Sequence, residues 1–306
     1  MKPLCLLLLA ASLIATTAAR AQTEPTPSTP AALSGTLAKV RDAGVITLGY
    51  RESSVPFSYL SPRNVPIGYS IELCKSLVAA IEETVHKSLE IKWAPVTSES
   101  RIDAVEKGQV DLECGSTTSN LERQKRVAFS PTIFVSGTKL LVKKGSPIRE
   151  FKDLAGKRVA VTRGTTNEQT MQALSQKFDL KLNLLVQRDH AESFAQVVNG
   201  AVDAFATDDV LLYGLIAQSK GKVPGEYQVV GDFLSYDPYG IMYRKNDPQL
   251  AKVVNDTFQF LAQDGEIERQ YKRWFLRKLP LSGTSIDLPM SPQLETILQT
   301  MAIKAE

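Results

Sequence analysis

Histidine and tryptophan are scarce in this chain, with 2 of each among 306 residues, and cysteine occurs only 3 times. His86 and His190 stand apart from the cysteines, so no Cys/His cluster has metal-ligand spacing, and no motif calls for a cofactor. An excess of one charge is also lacking. The balance is +3, and removing residues 1–21 takes away Lys2 and Arg20, leaving about +1. Such a chain offers no electrostatic case for nucleic acid or an anionic membrane. Beyond the N-terminal segment no apolar run approaches the ~20 residues of a membrane span, so nothing there would anchor the chain.

The N-terminus itself is informative. Met1-Lys2 is basic, Leu4–Ala19 is apolar, and Ala19-Arg20-Ala21 places small residues at the two positions that decide cleavage. Residues 1–21 therefore read as a secretory signal peptide. Cys5 lies inside it and not at a lipoprotein-type site. Residues 22–35 contain Gln-Thr-Glu-Pro-Thr-Pro-Ser-Thr-Pro, too polar to bury a core, and read as a flexible leader. The expectation is an unanchored monomer exported to a bacterial periplasm. Of the remaining cysteines, Cys74 shares a helical face with Ile71, Val78 and Ile81, which suits a buried thiol. An oxidising compartment equally permits a Cys74–Cys114 bridge, and the sequence leaves the two open.

One pattern occurs twice. Val105-Glu-Lys-Gly108-Gln-Val-Asp111 leads through a short apolar stretch to Ser116, and Val197-Val-Asn-Gly200-Ala-Val-Asp203 leads to Asp208. In both, a helix ends on Gly, a strand follows, and a polar residue stands at its far end. In open α/β sheets the carboxyl ends of strands are where ligands bind. Two such units imply two lobes facing one ligand.

Helix and strand patterns alternate along the rest of the chain, as α/β folds require. Extended stretches near 132–138 and 235–241 bracket the second block. This predicts one lobe inserted into another through two crossovers, a hinge-bending layout. Lobe 1 is expected at 36–135 and 236–281, lobe 2 at 136–235, and a C-terminal segment with a short helix at 282–306. Two sequential domains fit less well, because the long final helices would have no lobe to cover.

Ser119-Asn-Leu-Glu122 and Thr165-Thr-Asn-Glu168 both match a capping box, and each follows a strand. Helix N-termini at such places favour anions. Arginine placement is sharper. Arg51, Arg101 and Arg123 all fall at strand-to-helix junctions, where a planar guanidinium can grip a carboxylate with two parallel hydrogen bonds. A lone arginine is ordinarily a solvated surface charge.

Arg51-Glu-Ser-Ser-Val-Pro-Phe-Ser-Tyr59, Glu113-Cys-Gly-Ser-Thr-Thr118, Leu121-Glu-Arg-Gln-Lys-Arg126, Phe129-Ser130 and Gly164-Thr-Thr166 resemble the polar amino-acid solute-binding family of ABC importers. Within it, the resemblance is to the glutamate/aspartate-binding members, and it runs from about Leu37 to the C-terminus. It implies a type II periplasmic-binding fold, L-glutamate or L-aspartate as ligand, and delivery to integral-membrane permease subunits. Residue by residue it implies Arg123 and Thr118 on the α-carboxylate, and Ser116 and Asp208 on the α-ammonium. Arg51, Ser98, Arg101, Thr166 and His190 would meet the side-chain carboxylate, with Thr165 beside them. The chain departs from the family at Arg163, where a small residue is usual, and at Ile241, where a cysteine is usual; the second leaves the partner of Cys114 open.

Charge supports an acidic ligand. A neutral amino acid needs one cation and one anion, which Arg123 and Asp208 supply; Arg51 and Arg101 would then be surplus buried charge unless a second anion pairs with them. The rival reading is a periplasmic cyclohexadienyl dehydratase on the same scaffold, acting on prephenate or arogenate. Its general acid would have to be Glu168, whose capping-box spacing already accounts for it.

Overall fold

The computed structural model describes residues 32–280 and 282–303, so the expected signal peptide and most of the leader lie outside the described residues. The chain enters through helix α1 (Gly35–Ala43), strand β1 (Val45–Tyr50) and a small flap of β2 (Ser53–Ser54), β3 (Ser58–Leu60) and β4 (Pro66–Ile67). Helix α2 (Tyr69–Val85), β5 (Glu90–Pro95), α3 (Arg101–Glu106), β6 (Leu112–Glu113), α4 (Leu121–Gln124) and β7 (Val127–Phe129) follow. Strand β8 (Phe134–Ser136) leaves this layer. The next block comprises β9 (Thr138–Lys143), β10 (Arg158–Thr162), α5 (Thr166–Lys177), β11 (Asn183–Gln187), α6 (His190–Val198), β12 (Ala204–Asp208), α7 (Asp209–Ser219) and β13 (Tyr227–Val230). Strand β14 (Asp237–Tyr239) returns to β15 (Met242–Arg244), α8 (Pro248–Gln263), α9 (Glu266–Tyr271) and α10 (Pro292–Ala302).

Two sheets result, ordered β5-β1-β6-β15-β7 and β11-β10-β12-β9-β13. In each, three parallel strands are followed by an antiparallel one, β15 or β9. The strands after Gly108 and Gly200, β6 and β12, occupy equivalent third places, which is the structural content of the repeated pattern. Because β15 follows the inserted block yet sits inside the first sheet, the chain must cross between the lobes twice. Strands β8 and β14 are those crossovers, paired antiparallel with Asp237 opposite Ser136 and Tyr239 opposite Phe134. This is the two-lobed hinge layout expected of the fold. Gly137 follows at once, and a Cβ there would lie 2.2 Å from the Ser235 carbonyl oxygen, so only glycine lets the two crossovers run this close.

Apolar packing fixes the hinge to the first lobe. Phe57 meets Phe134 and Tyr239, one from each crossover, edge-to-face at centroid separations of 5.0 and 5.1 Å. Phe275 stacks on Phe134 at 5.0 Å from behind. Such aromatic pairs add about 0.5–1.5 kcal/mol each beyond their buried area. The second lobe carries apolar layers on both faces of its sheet, around Val159, Val161 and Met171 on one side and Leu141, Phe205 and Leu212 on the other.

The structure departs from the sequence reading in three places. Helix α7 was not foreseen: Val210, Leu211, Leu212 and Leu215 are all buried, so the segment has no polar face to reveal a helical period. The cap of α4 is Asn120, whose side chain accepts from the Arg123 N–H at 2.9 Å, and not Ser119. The C-terminal helix, which the sequence reads as a short surface helix, instead buries Leu294 and Leu298 in the first-lobe core.

Cys74 and Cys114 are bonded, tying α2 to the end of β6 across 40 residues of chain. Closing a loop of that size restricts the unfolded chain and stabilises the fold by about 2–4 kcal/mol. Replacing both cysteines by alanine should lower the free energy of unfolding by that amount, read as a lower urea midpoint, while leaving the far-ultraviolet circular dichroism unchanged; an unaltered midpoint would show that the bond does not constrain the unfolded state.

Candidate functional site

The residues singled out from the sequence come from both lobes and meet along one cleft. Arg51 follows β1 and is 1% exposed, which excludes the solvated-charge reading. Arg101 opens α3 and is equally hidden; its Nη1 donates to the Ser116 carbonyl oxygen at 3.2 Å. Arg123 lies in α4, with Nη1 on the Thr118 carbonyl oxygen at 2.9 Å and Nη2 reaching Gly164 of the opposite lobe at 3.4 Å. Burial, then the charge of neighbouring Arg101, pulls the pKa of Arg51 and of Arg123 down to about 9. Burial lowers Arg101 as well. Arg51 and Arg123 remain cations at neutral pH.

Their donors are incompletely used. Among the described residues, Arg51 Nη1, Arg101 Nε and the hydroxyls of Ser98 and Ser116 are buried without a hydrogen-bond partner. Buried polar atoms are ordinarily satisfied. Arg101 reaches the Ser116 backbone, and the Arg51 and Arg101 charges act on one another, so these spare donors belong to neighbouring residues and favour an acceptor there.

The second lobe supplies the facing wall. Thr165 caps α5, accepting from the Glu168 N–H at 3.1 Å and donating to the Thr162 carbonyl oxygen at 2.6 Å. Thr166 begins that helix and lies 3.4 Å from Thr118 across the cleft. His190 is fully buried against Thr162 Oγ1, 3.0 Å from its Nδ1. Burial, with the charges of Arg51 and Arg101, holds its pKa well below the usual range, so it is neutral. Asp208 ends β12. Its Oδ1 accepts from Asn167 Nδ2 at 2.8 Å, and its Oδ2 accepts from the Tyr239 hydroxyl. Burial, then Asp237, pushes its pKa up to about 7.

The lobes touch where the cleft closes. A Cβ on Gly164, whose φ is +74°, would lie 2.7 Å from Glu99 Cα, so the turn before α5 sits directly on the Ser98–Glu99 backbone. Arg163 beside it is exposed and leaves the contact clear.

Two buried acids escaped the sequence reading. Glu113 is 0% exposed, with Oε2 accepting from Thr117 Oγ1 at 2.7 Å and Oε1 unpartnered. Asp237, on a crossover, is likewise buried. Counting Asp208 as the one acid was therefore incomplete, and the arginines are not electrostatically surplus. Yet among the described residues no ion pair joins Glu113, Asp208 or Asp237 to any of these arginines. The free guanidinium donors, not the net charge, carry the case for an anion. Asn167 was also overlooked; an alternating burial pattern does not distinguish an amide that orients a carboxylate from one that faces water.

Residues 46–277 match the family model of bacterial extracellular solute-binding proteins, family 3. The chain belongs to that family. It is 40% identical over 275 residues to the glutamate/aspartate import solute-binding protein of Salmonella typhimurium, covering 90% of each chain. Identity to the L-glutamate/L-aspartate-binding protein of Pseudomonas aeruginosa is 42% over 275 residues, covering 89% of this chain and 90% of the other. Among solved structures, an ancestral arginine-binding protein bound to arginine superposes with a TM-score of 0.68 at 27% identity, covering 76% of this chain and 98% of that one. An ancestral amino acid-binding protein described as a precursor of cyclohexadienyl dehydratase gives 0.68 at 30% identity, covering 78% and 99%.

A carboxyl raised to about 7 binds a proton in the folded state that the unfolded chain, near 3.9, has released. Asp208 therefore costs stability as pH rises from about 4 to 7, up to about 4 kcal/mol in full. Asp208→Asn should melt higher than the parent protein without added ligand, by a margin that grows across that window and is flat above it. Scanning calorimetry at a series of pH values checks this; a margin independent of pH would mean that Asp208 is ionised throughout.

Proposed function

We propose that this chain captures L-glutamate or L-aspartate between its lobes in the periplasm and delivers it to the integral-membrane permease subunits of an ABC importer. The observation that carries this reading is the cluster of unpartnered donors, Arg51 Nη1, Arg101 Nε and the Ser98 and Ser116 hydroxyls, buried at the cleft. The names of the relatives at 40% and 42% identity support it. No helix among the described residues is long and apolar enough to cross a membrane.

In this reading the lobes are 36–135 with 236–281, and 136–235. Arg123 and the backbone around Thr118 take the α-carboxylate, a role helped by the adjoining N-terminus of α4. Asp208 and Ser116 take the α-ammonium. Arg51, Arg101 and Ser98 take the second carboxylate, with neutral His190 and Thr166 closing from the other lobe and Thr165 holding the turn. Closure removes the ligand from water and strengthens each of these contacts. The closed form is then what docks on the permease.

The dehydratase reading loses its acid. Glu168 Oε2 accepts from the Gly164 N–H at 2.8 Å, so its carboxylate is committed to the turn that opens α5. Turnover of arogenate that disappears in Glu168→Gln would restore that reading.

Calorimetric titration of the mature chain tests the ligand. Arg123→Ala should abolish binding of every amino acid, because removing one partner of a desolvated charge pair costs about 2–5 kcal/mol. Arg51→Met and Arg101→Met keep the apolar stem and should weaken glutamate and aspartate, while glutamine changes little. Equal weakening of glutamate and glutamine in both variants would defeat the assignment of the second carboxylate.

A further inference from the structure

The buried acid on the hinge has a second consequence. Asp237 lies on crossover β14, and one of its oxygens, Oδ1, accepts from Thr118 Oγ1 at 3.0 Å and from Thr166 Oγ1 at 2.8 Å. Thr118 belongs to the first lobe and Thr166 to the second. A single carboxylate oxygen thus holds one hydroxyl from each wall of the cleft. Its other oxygen accepts from Ser235 Oγ, which lies 2.8 Å from Thr138 Oγ1. Thr138 Oγ1 in turn accepts from Asn167 Nδ2 at 2.7 Å, and Asn167 Nδ2 also donates to Asp208 Oδ1 at 2.8 Å. One chain of hydrogen bonds, buried at its two ends and partly buried around Thr166 and Ser235, therefore runs from the first lobe, through the hinge strand, to Asp208 of the second.

We propose that Asp237 is a positioning residue that latches the closed cleft: it couples Thr118, Thr166 and, through Asn167, Asp208 to the hinge, and so sets how slowly bound ligand escapes. Opening moves the lobes apart while Asp237 stays on the crossover, so at least one of its two threonine bonds must break before the ligand leaves. Bonds to a carboxylate are stronger than neutral ones, and here the Thr118 bond is shielded from water and the Thr166 bond partly so. A contact made after encounter and broken before release acts on the dissociation rate and leaves the association rate alone. Asp237 needs no contact with the ligand for this. The proposal rests on the lobe-closure reading above and goes beyond it in naming what holds the closed state.

The test compares Asp237→Ala, which removes the acceptor, with Asp237→Asn, which keeps one acceptor oxygen. Stopped-flow fluorescence with L-glutamate should give a dissociation rate at least tenfold higher for Asp237→Ala, with association within about twofold of the parent protein, and recovery of most of the loss in Asp237→Asn. A changed association rate with unchanged dissociation overturns the latch, as does Asp237→Asn behaving like Asp237→Ala. If Asp237→Ala does not fold, Asp237→Ser, which also lacks the carboxylate and leaves every residue assigned to the ligand in place, carries the same comparison. Binding by the parent protein is measured first. If neither glutamate nor aspartate binds, the ligand assignment fails, and the latch is judged by small-angle X-ray scattering in buffer alone. There the radius of gyration should be larger for Asp237→Ala or Asp237→Ser than for the parent protein and Asp237→Asn; equal radii overturn it.

Discussion

Holding three guanidinium groups out of water is the constraint on which the rest of this structure depends. A bare cation in an apolar interior is costly, and neighbouring cations add to the cost. The fold meets it with backbone. Arg101 and Arg123 donate to the carbonyl oxygens of Ser116, Thr118 and Gly164, and Glu113 lends opposite charge without an ion-pair contact. Those carbonyls are available because the segments after β6 and β10 turn sharply at a sheet's carboxyl edge. The glycine at 164 and the caps at Asn120 and Thr165 are what let the chain turn there. Sheet order, turn chemistry and arginine placement are therefore one solution and not three.

The hinge obeys a related logic with apolar groups. Two crossover strands alone would leave the lobes free to wander. Phe134 and Tyr239, one from each strand, are packed against Phe57 and Phe275, so the hinge is anchored to the first lobe. Tyr239 also sends its hydroxyl to Asp208. The same side chain thus anchors the hinge by its ring and orients a cleft acid by its hydroxyl.

Much of this was open to view in the sequence, for physical reasons. The spacing of Gly108 and Gly200 to their polar residues is set by one strand length, so equivalent strands could be matched before any coordinates. Arg101 and Arg123 could be placed at helix starts and Arg51 at a strand's carboxyl end, because periodicity marks where elements end; Arg51, however, leads into the flap strand β2 and not into a helix. What stayed hidden depended on tertiary contact. Helix α7 has no polar stripe because it is buried on most sides. Glu113 alternates in a strand much as a solvated acid would, and nothing local says that both faces of β6 are covered. Asp237 precedes a proline, which reads as a turn; only the pairing of β14 with β8 turns it into a buried acceptor between two lobes. The bridge from Cys74 to Cys114 likewise needed α2 to be laid on β6.

Asp208 brings stability and capture into one account. It is buried near Asp237, and at neutral pH its carboxylate is only marginally ionised. Its hydrogen bonds from Tyr239 and Asn167 orient it and relieve only part of that strain. An ammonium set against it would remove the difficulty, since an opposite charge favours the ionised form. The unpartnered donors of Arg51 and Arg101 present the mirror image, cations short of acceptors. In the proposed reading, a molecule carrying an ammonium and two carboxylates at amino-acid spacing relieves both at once, whereas one lacking either carboxylate leaves part of the cleft unsatisfied. Binding energy is then drawn from groups that the folded chain holds uncomfortably by itself. A ligand that binds the folded state alone also stabilises it, and most strongly where the protein has sacrificed stability to be ready. The cleft is thus selective for the same reason that it is costly to fold.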